Sequence, residues 1–307
     1  MTTAHIDQRP ARIDRVPMGI MLMIGATALF AVSSAISKWL LTSYSVVEIL
    51  SYRANGSLVV AAALILPRTG LSVFRTERVG QHLGRNGTQC LAQSSLMVAF
   101  SMMPLAGAIA INFSSPLFAT LFAALWLQEK VGWARGLALT TGFLGVLLVA
   151  SPGADSFQLG ALFALGNAVL FGSVTAAVRG LSKTESAETL TMYQMVILAV
   201  AFTLPLPFFF TTPTWFDLLL LLGNGVINGV GQYWWTRSLS LAPPAAVGPF
   251  FYTSLVWAML LGFMIWGDIP TLGLLAGSAV VVGSGIFLLW HESAKKARVL
   301  EESLNAE

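Results

Sequence analysis

Two segments decide the fold: MGIMLMIGATALFAVSSAISK at residues 18–38 and LGALFALGNAVLFGSVTAAVR at residues 159–179. A helix needs about 20 apolar residues to cross the hydrocarbon core of a bilayer. Neither segment holds a charged residue before its final position, which is Lys38 in the first and Arg179 in the second. Both segments therefore predict membrane-spanning α-helices, and their likeness to each other indicates a repeat.

The composition of the whole chain extends this prediction. Of the 307 residues, 56% are hydrophobic and 10% are charged, whereas soluble domains carry about 25% charged residues. Such a composition excludes a soluble globular protein. Hydropathy predicts an all-α integral membrane protein with ten transmembrane helices, at residues 18–38, 46–66, 86–103, 105–127, 133–150, 157–179, 188–210, 215–238, 243–266 and 270–290.

The basic residues indicate the orientation. If the N-terminus is cytoplasmic, all 17 Lys and Arg residues except Lys38 and Arg53 fall in cytoplasmic loops and tails, as the positive-inside tendency requires. We therefore predict a multi-pass protein of the cytoplasmic (plasma or inner) membrane with both termini cytoplasmic. The basic residues are dispersed rather than gathered on one face, so the lipid bilayer is the expected partner and nucleic acid is not. The sequence does not indicate an oligomeric state.

The chain is a tandem duplication. Displacing it by 141 residues superimposes Gly19 on Gly160 and Gly25 on Gly166, and later Gly132, Gly136 and Gly142 on Gly273, Gly277 and Gly283. With small changes of offset in the middle, Asn86-Gly87 falls on Asn224-Gly225 and Glu129 on Asp268. We expect glycines such as Gly136 and Gly277 to pack helices closely. The predicted units are a tail at 1–17, repeats at 18–150 and 157–290, and a tail at 291–307.

Each repeat has five predicted helices, so the second repeat enters the membrane from the opposite side. Inverted repeats of this kind are typical of carriers, because two similar halves of opposite orientation can form one conformation open to each face. A duplicated scaffold without a conduit is the alternative interpretation.

The residues of the repeat also carry a family resemblance. They run from Ser114-Ser115-Pro116-Leu117-Phe118 to Trp126-Leu127-Gln128-Glu129-Lys130, and again from Pro249 through Trp266-Gly267-Asp268 to Gly283. The chain resembles EamA-type members of the drug/metabolite transporter superfamily. The resemblance implies paired five-helix repeats and secondary transport, without ATP, of a small organic metabolite that is amino-acid-, nucleoside- or vitamin-like. The stretch from Pro249 to Glu292 is similar to a branch that includes riboflavin and S-adenosylmethionine carriers.

Polar side chains within the spans are the candidates for a solute site, because unsatisfied polar groups are costly in hydrocarbon. Span eight carries a stripe of Asn224, Asn228, Gln232 and Trp235, and span three carries Asn86, Gln89, Gln93 and Met97. These amides either line a cavity or join helices, which is worth about 0.6 to 2 kcal/mol each. The candidate substrate-binding residues are Gln89, Gln93, Asn112, Asn224, Asn228, Gln232, Trp235 and Tyr252.

Spans four and nine contain prolines at corresponding places, Pro116 near Asn112 and Pro249 near Tyr252. A proline inside a span frees a backbone carbonyl and permits a kink, and interrupted helices in both repeats indicate the position of a transport site. Tyr252 and Phe251 could stack on a planar solute or pack against other helices.

Several kinds of chemistry are missing from the sequence. No phosphate-binding Gly-x-x-x-x-Gly-Lys-Ser/Thr motif occurs, the three histidines are far apart, and no acidic residue lies at mid-span. We therefore expect no cofactor, no metal, no catalytic residue and no enzyme activity, and we predict a secondary transporter that works by alternating access. An integral-membrane enzyme, a receptor or a lipid-binding scaffold is the alternative.

Two basic residues near the outer face keep two interpretations each, and one acidic residue is a candidate for coupling, with facilitated diffusion or exchange as the alternatives. Lys38 and Arg53 could attract an anionic group or extend to the membrane interface, and Glu48 at a span end could couple transport to an ion. The sequence does not decide the substrate, the coupling or the direction of transport.

Overall fold

The computed structural model describes residues 16–127, 133–149, 155–242 and 244–304. Regular structure in these residues is entirely helical. Gln128, Glu129, Lys130 and Gly132 of the sequence analysis lie outside the described residues, as do residue 243 at the start of the ninth predicted span and both extreme ends of the chain. The all-α prediction is confirmed.

Thirteen α-helices and one 3-10 helix (η1) follow one another along the described chain. Their bounds are α1 Val16–Leu40, α2 Val46–Thr69, η1 Gly70–Phe74, α3 Val79–Met102, α4 Leu105–Asn112, α5 Ser115–Leu127, α6 Trp133–Val149, α7 Asp155–Leu181, α8 Ala187–Thr203, α9 Leu206–Phe209, α10 Trp215–Leu241, α11 Pro244–Phe251, α12 Thr253–Trp266 and α13 Leu272–Leu304.

Five helical stretches are long and apolar enough to cross a membrane. They are Val16–Leu40, Val46–Phe74, Leu105–Trp126, Leu159–Leu181 and Ala246–Trp266. Shorter apolar stretches are Gly136–Val149, Ala187–Thr203 and Leu272–Leu288. Helices α3 and α10, which contain the predicted spans 86–103 and 215–238, are not in either group, because the polar stripes of these helices lower their hydropathy.

Two helices extend beyond the apolar segments that predicted them. Helix α3 begins at Val79 instead of residue 86, and α13 continues to Leu304 instead of ending at 290. Helical hydrogen bonds join backbone groups and do not require apolar side chains, so a helix can continue where hydropathy falls. The added turns of α3 are mostly exposed, but two of their polar side chains, His82 and Arg85, are buried.

Spans four and nine are each broken in the middle. Helix α4 ends at Asn112 and α5 starts at Ser115, and α11 ends at Phe251 before α12 starts at Thr253. The ring of Pro116 occupies the space in which the Asn112 carbonyl would continue the helix. Tighter bonds span the breaks, from Ser114 N to Ile111 O (3.0 Å) and from Leu255 N to Tyr252 O (3.1 Å).

We define the basic end of the bundle by the ends of α2, α7 and α10 and the starts of α3 and α8. There the Thr76 hydroxyl donates to Glu185 Oε1 at 2.6 Å and joins the two connecting loops. At the opposite end, the Tyr44 hydroxyl donates to Asp217 Oδ2 at 2.8 Å and joins the end of α1 to the start of α10. Burial, with this hydrogen bond, raises the pKa of Tyr44 and keeps its phenol a donor.

The contacts repeat between the two halves. Helix α1 packs along α10 as α7 packs along α3, and α2 pairs with α8 and α6 with α13 across the halves. Helix α1 ends at the opposite end of the bundle, whereas α7 ends at the basic end. The first helices of the two halves therefore run in opposite directions.

Glycines allow two of these helix pairs to touch backbone to backbone. A Cβ on Gly277 would lie 2.6 Å from Gly145 O, and a Cβ on Gly56 would lie 2.6 Å from Gly225 Cα. The packing role expected for Gly277 agrees with this geometry. The same expectation was wrong for Gly136, because no atom lies within 4 Å of a Cβ built there. Helix α6 contacts α13 through Gly145, which lies on a different face from Gly136.

We predict that Gly277→Leu destabilises the protein, whereas Gly136→Leu leaves it folded. The added side chain at Gly277 meets backbone atoms of α6 that have no room to move, and such overpacking costs about 1–3 kcal/mol. The measurement is the melting temperature and the size-exclusion profile of each detergent-purified variant. Equal stability of the two variants would contradict the assigned α6–α13 contact.

Candidate functional site

The two broken helices meet each other in the core of the bundle. The rings of Phe113 and Tyr252, one at each break, have centroids 5.0 Å apart and cross at 77°, and Phe251 packs 5.7 Å from Phe113. The displacement that places Glu129 on Asp268 also places Phe113 on Tyr252. Equivalent positions of the two repeats thus contact each other here. We call Phe113, Phe251 and Tyr252 the aromatic centre.

Polar groups adjoin the aromatic centre on both sides. Asn167 Nδ2 of α7 donates to Asn112 Oδ1 at 2.6 Å, directly before the first break. On the other side, Tyr252 is buried with its hydroxyl against Gly285 of α13, where a Cβ would overlap that oxygen. The Trp257 indole nitrogen is also buried and has no hydrogen-bond partner among the described residues. A planar ring with polar edges is the kind of group that such surroundings can hold.

A cavity of about 210 Å³ lies at the basic end, between α2, α8 and α10. Gln232 and Tyr233 of α10 line it, with Ser57 and Arg68 of α2 and Glu188 of α8. Its wall combines this polar rim with apolar side chains of α2 and α8, including Ala61, Leu64, Ile65 and Met195.

The predicted stripe on span eight divides among three environments. Asn224 is completely buried between α10 and α1, accepting from Ser33 Oγ at 2.5 Å and donating to Ser37 Oγ at 2.9 Å. Asn228 Nδ2 donates to Ser57 Oγ at 2.9 Å, and Gln232 lines the cavity beyond it. Trp235 packs with an apolar cluster around Met23 of α1.

For Asn224 the structure therefore shows the helix-joining role that the sequence analysis kept as an alternative. Gln232 lines the cavity and Asn228 bonds Ser57 of its wall, while the side chains of Asn224 and Trp235 are occupied by helix contacts. A role in substrate binding remains a prediction for all four residues.

Span three and its neighbours form a second polar region. Gln89 of α3 is buried, and Gln93 Oε1 accepts from Arg53 Nη2 at 3.0 Å. Lys38 Nζ donates to Phe100 O at 3.0 Å and to Met103 O at 2.6 Å, and it lies 5.3 Å from the Trp266 ring centre. Lys38 and Arg53 thus bind inside the bundle instead of extending to the membrane interface.

Glu48 lies in the first turn of α2 and is completely buried. Its Oε2 accepts from the Thr211 backbone nitrogen at 3.1 Å, while Oε1 has no partner among the described residues. The residue therefore anchors the loop before α10. A role in ion coupling remains a prediction.

The sequence analysis missed a group of buried polar residues at the start of α3. His82 and Arg85 precede the predicted span, and they are buried together with Asn86 and Gln89. The signal was present, because these residues recur at intervals of three and four, as on one helical face. The hydropathy threshold placed the start of the span after Arg85 and so removed half of the pattern.

Within the described residues, no group of three or more His, Cys, Asp or Glu side chains is arranged to hold a metal ion. The side chains that surround the aromatic centre and the cavity are mostly aromatic, amide and hydroxyl groups. Such groups recognise a solute by shape, stacking and hydrogen bonds.

Comparison with known proteins extends these observations. A riboflavin transporter of Vibrio cholerae is 29% identical over 295 residues, covering 91% of this chain and 95% of that protein. An S-adenosylmethionine uptake transporter of Rickettsia bellii is 26% identical, covering 89% and 94%. A pseudopaline exporter of Pseudomonas aeruginosa is 28% identical, covering 90% and 97%.

A solved crystal structure shares the fold, with a TM-score of 0.62 at 21% identity, over 86% of this chain and 95% of that one. The sequence matches the family described as "EamA-like transporter family" twice, over residues 17–151 and 158–290. The two matches together cover most of the chain, one in each half of the helical bundle. The protein therefore belongs to the EamA-like transporter family.

Proposed function

We propose that this chain is a secondary transporter that carries riboflavin, or a similar uncharged planar metabolite, across the cytoplasmic membrane by alternating access. The observation that supports this most directly is the aromatic centre. Two interrupted helices from equivalent positions of two repeats meet there, and carriers built from inverted repeats bind their solutes at such a place.

The observed helices support an arrangement of ten spans. Helices α4 and α5 together form span four, and α11 and α12 together form span nine. Helix α9 belongs to the same span as α8. The opposite directions of α1 and α7 and the matching helix pairs support two inverted repeats of five spans. On this proposal the basic end faces the cytoplasm, as the positive-inside tendency favours, and both termini are cytoplasmic.

Charge favours riboflavin over S-adenosylmethionine. The helices that meet at the aromatic centre, α4, α5, α11 and α12, contain no acidic residue. Two partly buried cations, Lys38 and Arg53, are on α1 and α2, and Asp268 beyond the end of α12 is the acidic residue that interacts with Lys38. A sulfonium cation at the aromatic centre would be desolvated without a counter-charge from α4, α5, α11 or α12, which is costly. Riboflavin is uncharged, and its tricyclic ring offers a face for stacking and an edge for amide hydrogen bonds.

The present conformation is open toward the basic end. Hydrogen bonds of Tyr44 with Asp217, of Glu48 with Thr211 and of Asn224 with two serines close the opposite end. The cavity lined by Gln232 is at the basic end. We infer that this is the inward-facing member of the pair of conformations, and that Asn228 and Gln232 contact the solute on its path from the centre.

Flux through the purified protein tests this function. Protein reconstituted in liposomes without ATP is expected to take up riboflavin to equilibrium, and protein-free liposomes are expected to exclude it. S-adenosylmethionine is expected to enter at less than about one tenth of that rate, because a desolvation difference of about 1.4 kcal/mol is a factor of ten. Binding of riboflavin without flux would indicate the receptor alternative, and conversion of riboflavin would indicate an enzyme.

We predict that Gln232→Leu reduces riboflavin flux at least about fivefold while the protein stays folded, since a buried hydrogen bond to solute is worth roughly 1–2 kcal/mol. Asn224→Leu is the matched variant on the same helix. It is expected to lower the yield of folded protein, because Ser33 and Ser37 lose their partner. Both effects are measured on the same preparations, as flux and as melting temperature. Full flux in Gln232→Leu would remove the cavity from the path.

We predict that Gly285→Ala lowers flux by displacing the Tyr252 ring, and that adding Tyr252→Phe restores part of it. The new methyl group overlaps the tyrosine hydroxyl, and removing that hydroxyl relieves the overlap. The coupling between positions 285 and 252 is obtained from the initial rates of riboflavin uptake in the wild type, the two single variants and the double variant. Strictly additive losses would contradict the assigned contact and the part played by the aromatic centre.

A further inference from the structure

The start of α3 presents a buried polar surface that the proposed transport site does not use. His82, Arg85, Asn86 and Gln89 are neighbours at intervals of three and four on one face of the helix. All four are at least nine-tenths buried, and His82 and Asn86 are completely buried. We call His82, Arg85 and Asn86 the α3 polar cluster.

Most polar atoms of the α3 polar cluster have no partner. Arg85 Nη2 donates to Gln194 Oε1 of α8 at 2.7 Å, and the His82 ring stacks on Tyr193 of α8 with centroids 4.3 Å apart. Among the described residues, however, Arg85 Nε and Nη1, both ring nitrogens of His82 and both side-chain polar atoms of Asn86 make no hydrogen bond. An unpaired buried polar group costs about 1–3 kcal/mol, and an unpaired buried charge costs more.

The second repeat shows that the fold does not require these side chains. The displacement that places Asn86 on Asn224 places His82 on Leu220, Arg85 on Gly223 and Gln89 on Ile227. Three of the four polar residues thus correspond to two apolar residues and a glycine in the same helix of the other half. The contacts of His82 with Tyr193 and of Arg85 with Gln194 join α3 to α8, but they do not account for the polar atoms that these side chains leave unpaired among the described residues.

Asn86, the fourth of these polar residues, also differs from its counterpart in the second repeat, Asn224, in the side chains around it. Asn224 is satisfied by Ser33 and Ser37 of α1. The residues of α7 that correspond to these serines are Val174 and Val178, which offer no side-chain hydrogen bond. Asn86 therefore lacks the partners that hold its counterpart, and its amide is free to bind something else.

The charge of the cluster indicates the chemistry of its ligand. Arg85 has no ion pair among the described residues. Glu185, on the adjacent loop, accepts from the Thr76 hydroxyl and lies close enough to His82 to interact with it electrostatically, but it makes no ion pair with Arg85 among the described residues. A guanidinium with two free donors suits an oxygen anion, because charge-assisted bonds to phosphate or carboxylate are the strongest that it makes.

We propose that His82, Arg85 and Asn86 form a binding site for a small oxyanion, a phosphate or carboxylate group that enters at the basic end between α3 and α8. Arg85 Nε and Nη1 and the Asn86 amide nitrogen donate to the anion, and a ring nitrogen of His82 adds a further donor.

This site is separate from the aromatic centre and does not depend on the identity of the carried solute. The anion is either free in solution or the head group of an anionic lipid, since both present the same phosphate oxygens to the basic end. In either case, binding at the α3 polar cluster stabilises the packing of α3 on α8.

Thermal unfolding of lipid-depleted protein in an uncharged detergent tests the site. Sodium phosphate at roughly 20 mM is expected to raise the melting temperature by about 3 °C over sodium chloride of equal ionic strength, by mass action on the folded state. A parallel arm adds phosphatidylglycerol, with phosphatidylcholine as its control. A shift with phosphate assigns a free anion, and a shift with phosphatidylglycerol alone assigns a lipid head group.

The variants decide whether the shift belongs to this site. Arg85→Gln is expected to lose at least about two thirds of it, since the charge-assisted bonds are removed. Arg75→Gln, an exposed arginine at the same end, is expected to keep the full shift. If Arg85→Gln does not fold, Arg85→Lys keeps the positive charge but lacks the planar set of guanidinium donors. Its apparent affinity for the anion that shifts the wild type is expected to be at least about threefold weaker than that of the wild type.

Equal shifts in wild type and the Arg85 variants would overturn the proposal, as would no shift in wild type with either phosphate or phosphatidylglycerol. Those results would indicate that buried water molecules, and not an anion, bond the polar atoms of the α3 polar cluster. Because binding is read from unfolding and not from riboflavin flux, failure of the proposed transport function leaves this outcome unchanged.

Discussion

The bilayer core offers no water to a polar group, and the rest of this structure depends on that constraint. Every backbone amide must be bonded within a helix, and every polar side chain at depth must find a partner in the protein or face an enclosed space. Asn224 meets the requirement with Ser33 and Ser37, and Lys38 meets it with the last carbonyls of α3. The polar atoms of the α3 polar cluster do not meet it among the described residues, and there we propose that an anion binds.

Duplication explains why the two breaks come in related positions. Phe113 and Tyr252 occupy equivalent positions and touch each other, so the core of the bundle is where the two halves meet. The halves are not identical, however. Gly56 and Gly225 bring α2 and α10 into backbone contact, whereas Gly87, the counterpart of Gly225, has open space around it. The tight pairing at one end and the looser pairing at the other give the two ends of the molecule different surroundings for a solute.

Much of the fold could be predicted from residues alone, and the candidate site only in part. Apolar length located the helices, and proline positions located the breaks, because both are local properties of the chain. The sequence showed the amide stripe on α10, but it did not show that the residues of this stripe lie in three different environments. Asn224 faces serines, Gln232 faces a cavity and Trp235 faces an apolar cluster, and these neighbours come from α1, α2, α8 and α11, far away along the chain. His82 and Arg85 were missed because hydropathy measures composition and not burial.

By itself, the sequence determined the class of the protein, which is an all-helical membrane protein with a duplicated EamA-like unit. Segment length, hydropathy and repetition depend only on the order of residues along the chain. Only the tertiary structure decided which polar groups are satisfied. Asn86 and Asn224 are the same residue type in the same place of the repeat, and the difference between them depends on the facing helix, which carries valines in one half and serines in the other. A hydrogen bond needs a partner within about 3 Å, and that distance is set by packing.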